Sequence, residues 1–399
     1  MVRVERGDPP ADAGIAALVR RKSEHISQAL AIGDGSGGSA GWEDVRLVHD
    51  ALPEVDFDEI DLSVDFLGRH IGLPLLISGM TGGHEAALAV NRELARAAAA
   101  TGAMIGVGSQ RAALLDPGLA DTYAVVREYA PDAYVLANIG ISQLVRQRDS
   151  PALRVDDVLR AVDMVRADAL AVHLNYLEEI VQPEGQTRAK GARAALAHLV
   201  REVPVPVVAK ETGAGLSREV ALRLRDLGVA ALDVGGSGGT SFAAIEASRA
   251  ATAGDVVRAA TGLAFAGWGV PTAASVGLCA DVLPVIAVGG VRNGLDAARA
   301  MHLGAVAVGV GRPLLEQALL GAGGSDARGS EARASEGGAV RDWIDGFAHQ
   351  LRASVFLAGV PSARALGSAS AVIRGTTRDW LNQLGETDGQ RSGSARGRG

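Results

Sequence analysis

Chemistry-bearing residues in this chain recur at the ends of short apolar runs. Met80-Thr81, Ser109 and Arg111, Asn138, His173 with Asn175, and Lys210-Glu211 each follow such a run, and Glu178 and Glu179 come just after Asn175. Three glycine-rich turns do the same: 235–240, containing Gly238, Gly239 and Thr240; Gly289-Gly290 with Arg292; and Gly309 to Arg312. A packed strand has no reason to end repeatedly in amide, hydroxyl and charge, so the set reads as one pocket. Backbone N–H groups at glycine turns and helix starts bind phosphate, and the missing side chains let an anion approach closely. Lys210 can set a cation against a planar anionic ring, or simply pair with Glu211. Arg21, Lys22 and His25 near the N-terminus, taken with Arg111 and His173, suit a second anion such as a diphosphate. Read alone, Arg21 and Lys22 are ordinary surface charges. Glu179 has the chemistry of a Mg²⁺ ligand, because that ion takes one or two carboxylates plus phosphate oxygens and water.

The elements that must position these residues repeat eight times. Apolar β-branched runs cover 73–80, 103–109, 134–140, 169–175, 205–211, 231–236, 284–290 and 305–311, and Ala/Leu/Arg-rich stretches with helical spacing separate them. Near-continuous hydrophobicity fits parallel strands covered on both faces. Eight units of even length predict an α/β fold of the (β/α)₈ TIM barrel type, with an open doubly wound sheet as the competing architecture. In a barrel the strand ends meet at one mouth. Residues 1–70 are expected to form an N-terminal extension closing over that mouth, with a short helix carrying Arg21 to His25 and a Gly/Ser hinge at 33–41. The barrel is expected over 71–380, with a long excursion holding Phe265, Trp268 and Pro271 at its rim. A flexible insertion is expected at 321–338 and a disordered tail at 381–399, the latter Gly/Ser/Arg-rich from 389 onward.

Composition narrows the function. Of 399 residues 48% are hydrophobic and 4% aromatic, enough for a large aliphatic core. A net charge of -7 argues against general affinity for nucleic acid or anionic membrane, so an acidic ligand must be met by a local basic pocket. No apolar run is long enough to cross a bilayer, and no signal peptide is apparent. A cytoplasmic homo-oligomer acting on a small molecule is expected. Cys279, the sole cysteine, sits among apolar residues and reads as a buried structural thiol.

The motifs resemble those of the type II isopentenyl diphosphate isomerases. Arg21-Lys22-Ser23-Glu24-His25, Ser78-Gly79-Met80-Thr81-Gly82-Gly83, Gly108-Ser109-Gln110-Arg111, His173-Leu174-Asn175, Gln182-Pro183-Glu184-Gly185, Gly238-Gly239-Thr240-Ser241-Phe242, Trp268-Gly269-Val270-Pro271-Thr272 and Gly289-Gly290-Val291-Arg292 occur in the family's order. The likeness runs from about Arg21 to Asp379. It implies FMN held by Met80, Thr81, Ser109, Asn138, Lys210, Gly238, Gly239, Thr240, Gly289, Gly290 and Arg292. It implies a prenyl diphosphate held by Arg21, Lys22, His25, Arg111, His173, Asn175 and Gln182, with Mg²⁺ on Glu179. The implied reaction interconverts isopentenyl and dimethylallyl diphosphate by proton transfer. It uses reduced flavin, with NADPH or another reductant to reduce it, and has no net redox change. Glu178, His173 and Lys210 are the catalytic candidates.

One position departs from the family. Its segment reads His-x-Asn-x-x-Gln-Glu, whereas here Glu178 replaces the Gln. Beside a flavin anion, a diphosphate and Glu179 its charged form is disfavoured, so it can remain a protonated general acid. That opens a second reading, protonation-initiated cyclisation or double-bond shift of a longer prenyl diphosphate. A flavin oxidoreductase and a non-catalytic flavin binder are the remaining alternatives. A milder departure is Gln186-Thr187, in place of an acidic-basic pair, and bears on loop packing.

Overall fold

A computed structural model describes residue 28, residues 38–323 and residues 338–385. Arg21, Lys22, His25, most of the hinge, residues 324–337 and residues 386–399 lie outside the described residues.

Eight parallel strands close into a barrel. They are β1 (Leu75–Ile77), β2 (Met104–Gly106), β3 (Val135–Gly140), β4 (Ala169–Leu174), β5 (Val207–Glu211), β6 (Ala231–Asp233), β7 (Val285–Val288) and β8 (Ala307–Val310). Each falls in one of the eight apolar runs, and β8 pairs back onto β1 through Val308 with Leu75 and Val310 with Ile77. The expected barrel is borne out, and the open sheet is excluded by that closing pair. Several strands are shorter than their runs. After Asp233, for example, the chain leaves the ladder at Gly235, whose φ of 46 a side chain would strain. The runs contribute packed strand first and cavity wall second.

The excursion between β6 and β7 holds helices Phe242–Thr252, Val256–Ala264 and Thr272–Cys279. It returns to the mouth through Ser237 N, which donates to Val270 O. Cys279 is fully buried, and burial pushes its thiol up to about 12.

The extension ahead of β1 is split between the two ends of the barrel. Ala40 packs under the glycine turns at the mouth, and Trp42 Nε1 donates to Gly289 O at 3.3 Å. Val45–Leu47 then pairs antiparallel with Ala371–Ile373. The hairpin Val64–Phe66/Arg69–Ile71 lies at the opposite end, where Phe66 meets the Tyr134 ring before β3 and Arg69 pairs with Asp168 before β4. Within the described extension, the stretch around 40–42 is at the mouth, Gln28 Oε1 accepts from Ser248 Oγ at 2.9 Å on the helix that starts there, and the hairpin covers the base. At the other terminus, helix Gly375–Leu384 runs into the stretch expected as tail, because Leu381 and Leu384 pack against the core. Helix Arg312–Gly323 likewise takes in the first residues of the expected insertion.

Candidate active site at the barrel mouth

The strand ends enclose a cavity of about 280 Å³. Its two halves differ in chemistry.

One half is built from glycine. A Cβ on Gly239 would lie 2.7 Å from Gly290 N, one on Gly289 2.4 Å from Gly236 O, and one on Gly290 2.7 Å from Gly238 O. The turns after β6 and β7 thus pack backbone to backbone, and no larger residue fits between them. Helices Phe242–Thr252 and Gly294–His302 start directly behind, capped by Ser241 and Asn293. Helix starts presented over bare backbone suit an anion. Arg292 brackets both turns, donating from Nη1 to Gly290 O at 3.0 Å and from Nη2 to Gly238 O at 3.5 Å. Beside this cradle Lys210 Nζ lies 2.8 Å from Asp233 Oδ2, and Asp233 is buried. Lys210 therefore pairs with Asp233 rather than with Glu211, since the strand register sets Lys210 opposite Asp233. Burial holds the Asp233 carboxyl above its ordinary range, although the Lys210 ammonium opposes the shift.

The other half is built from amides, carboxylates and an imidazole. Asn138 Nδ2 donates to Val107 O at 3.0 Å, which leaves its Oδ1 as the atom 2.9 Å from His173 Nδ1. A carboxamide oxygen only accepts, so Nδ1 carries the proton and Nε2 is the variable nitrogen. Gly140 makes room for the ring, because a Cβ there would stand 2.7 Å from His173 Nε2. Asn175 Nδ2 donates both to Glu178 Oε2 at 3.0 Å and to Glu179 Oε1 at 3.1 Å, holding two like charges side by side. Glu179 Oε2 also accepts from Gln186 N at 2.5 Å, and Gln186 is buried in the same network with Ser142 and Ser150. Burial, with Glu179 close by, raises the Tyr176 phenol above its ordinary value.

Among the described residues, the buried atoms Ser78 Oγ, Gln143 Oε1, Asn175 Oδ1 and Gln182 Nε2 at the wall have no hydrogen-bond partner. Buried polar groups rarely stay unpaired, so these atoms mark where ligand or water must bind. No cluster of three or more His, Cys, Asp or Glu able to hold a metal occurs among the described residues. A cation at Glu179 would therefore take most of its oxygens from ligand and water.

Relatives with matching sequences bear on the identity. No family model matches. An isopentenyl-diphosphate delta-isomerase of Archaeoglobus fulgidus is 42% identical over 366 residues, covering 92% of this chain and 99% of that protein. One of Methanosarcina acetivorans is 44% identical over 367 residues, covering 92% and 95%. The chain belongs to the isopentenyl-diphosphate delta-isomerase family. The motif resemblance is thereby borne out, and the protein is an isomerase. Among solved structures, one described as a lactate oxidase of Pediococcus acidilactici superposes with a TM-score of 0.61 at 14% identity, covering 90% of this chain and 94% of that one. A mandelate oxidase variant gives a TM-score of 0.56 at 22% identity, covering 91% and 99%. At such identities the likeness shows a shared barrel fold alone.

Most residues picked out by sequence meet at this cavity: Met80, Ser109, Arg111, Asn138, His173, Asn175, Glu178, Glu179, Gln182, Lys210, Gly239, Thr240, Gly289, Gly290 and Arg292 all line it. Two do not. The Thr81 hydroxyl is turned to His84 Nε2 at 3.1 Å, and Gly238 lies against Ala40. Sequence reasoning passed over Asp233 and Gln143. A lone Asp inside the run 231–236 was a usable signal, since a buried charge needs a partner. Gln143, nine-tenths buried in the turn Ile141–Leu144, had none beyond its polarity.

Proposed function

We propose that this chain binds FMN and a prenyl diphosphate in the two halves of the mouth cavity and interconverts isopentenyl and dimethylallyl diphosphate. The carrying observation is the division of one cavity into a glycine cradle with a partly buried cation and a wall of donors and carboxylates. The name of the relatives gives the substrate class, and one of the similar barrels is a mandelate oxidase variant with an FMN adduct.

The residues fit the cofactor. The abutting backbones of Gly239, Gly289 and Gly290 would take its phosphate, with Arg292 beside them, and Lys210 would face the ring. Reduced FMN, when bound, supplies an electron-rich face that can exchange a proton without net change of oxidation level. Met80, Ser109, Asn138 and Thr240 would border the ring. Thr81 and Gly238 would act indirectly, Thr81 through the turn it ties to His84 and Gly238 through the segment packed on it. NADPH or another hydride donor would reduce the flavin initially.

Arg111, Gln182 Nε2 and His173 would bind the diphosphate, and Glu179 would hold Mg²⁺ against it. Arg21, Lys22 and His25 would add to this site. The orphaned Gln182 Nε2 is a donor, which suits a ligand group that only accepts. Asn138 keeps His173 in one orientation, and Asn175 keeps Glu178 and Glu179 on the cavity side. The reaction adds one proton to the alkene and removes one from the neighbouring allylic carbon, so the substrate is neither oxidised nor reduced. Glu178 would hold or move one of these protons.

The test is product identification after the FMN- and Mg²⁺-loaded, reduced protein meets prenyl diphosphates of increasing length. Isopentenyl diphosphate should convert with no stoichiometric consumption of reductant. Turnover confined to longer chains, or reductant use equal to product, would replace this reading.

A further inference from the structure

Glu211 closes β5 beside Lys210, lines the cavity and has no part in the reaction described above. Its Oε2 accepts from three consecutive backbone amides, Gly213 N at 2.7 Å, Ala214 N at 2.6 Å and Gly215 N at 2.9 Å. Amides converging on one oxygen form an anion nest, here filled by the protein's own side chain. The nest requires the backbone of Gly213 and Gly215, with φ of 138 and 75.

From this loop the ties reach the turn after β6 and the excursion. Gly215 N donates to Gly235 O at 3.1 Å, beyond the end of β6. Ala214 O accepts from Val270 N at 2.8 Å, and Val270 O from Ser237 N at 3.0 Å, which brings in the excursion. Thr212 and Gly213 themselves line the cavity. We propose that Glu211 is a positioning residue for the cofactor cradle: its carboxylate holds the loop 212–215 that fixes the Lys210 wall against the glycine turn after β6. The inference rests on the FMN reading of that cradle.

The group is poised to be felt near neutral pH. Burial pushes the carboxyl up to about 7 against the opposing pull of the N–H groups of Thr212, Gly213, Ala214 and Gly215. The charges nearest in the chain and on the paired strand are Lys210 and Asp233, which satisfy one another. The ionised form makes the stronger hydrogen bonds to the loop amides. A ligand that needs the loop in place therefore favours ionised Glu211 and binds more tightly as pH rises from 6 to 8.

The full chain is titrated with FMN from pH 6 to 8 as wild type, Glu211→Gln and Glu211→Asp, with thermal unfolding of each measured without FMN. Glu211→Gln should raise the Kd about tenfold at pH 8 and flatten its pH dependence relative to wild type. Its FMN-free Tm at pH 8 should be no lower than wild type, because a buried charge has been removed. A purely structural role would instead lower Tm and affinity together, and that result overturns the proposal. So do equal Kd values with parallel pH curves; slopes common to both proteins belong to groups other than Glu211, the FMN phosphate among them. If the Gln variant fails to fold, Glu211→Asp carries the same comparison, its shorter reach weakening FMN binding. A wild-type chain that binds no FMN removes the cofactor reading and this inference with it.

Discussion

At Glu178 the isomerase family's amide is a carboxyl, bonded to Asn175 and adjacent to Glu179. Glu178→Gln restores the family motif at nearly constant volume and should leave FMN binding and Tm intact. Isopentenyl diphosphate isomerisation should be preserved or raised. A rate loss of about 10²- to 10⁴-fold would instead mark Glu178 as an indispensable acid. Asp233→Ala leaves the partly buried Lys210 ammonium without its partner and should cost about 1 to 3 kcal/mol in urea unfolding. Adding Lys210→Met should recover much of that loss, and a double variant no more stable than the single would show the pair to be unimportant. Arg111→Ala should weaken substrate binding by about 1 to 3 kcal/mol, read as a Kd for the diphosphate. Glu211 gives a pH signature of defined sign. Its folded value of about 7 lies above the ordinary 4.5, so its contribution to stability is complete at low pH and is lost as pH rises through that interval. The Tm difference between Glu211→Gln and wild type should therefore grow from pH 5 to pH 8. Residue types were legible in the sequence where they end a strand, as at Asn138, His173 and Lys210. Partners were not, because which strand lies beside Lys210, and in what register, is decided only when the barrel closes.

The glycine turns act as one element made from two strand ends. Gly290→Ala places a Cβ 2.7 Å from Ala40 Cβ and Gly238 O on a residue with φ 65. The strain should destabilise the protein by about 1 to 3 kcal/mol and weaken FMN binding, both visible in a thermal titration with FMN. An Ala variant with unaltered affinity would detach these turns from the cradle. The barrel strands were readable because each lies in a near-continuous apolar run, whereas Val64–Phe66 and Arg69–Ile71 are interrupted by Asp65, Arg69 and His70. What places that hairpin at the barrel base is the burial of Phe66 beside Tyr134, a contact between distant parts of the chain. The end of helix Gly375–Leu384 was hidden for the same reason, since Leu381 makes sense only once Gly277 faces it.

For the molecule as a whole, FMN at about a hundredfold over its Kd should add about 2.7 kcal/mol of stability if it binds only the folded chain. Saturating FMN that leaves the unfolding curve unmoved would refute the cofactor assignment. The segment at 40–42 makes such a titration readable by light. Of the four tryptophans, Trp42 is the one fully buried, hydrogen-bonded to Gly289 directly beneath the cradle, while Trp268 faces solvent on the excursion and Trp343 stacks on Phe347. An indole beneath the phosphate cradle lies within energy-transfer range of a bound flavin, so Trp42 is a built-in optical probe. Its emission should fall as the cradle fills, and a Trp42→Phe chain should lose that part of the signal while the more distant tryptophans keep theirs.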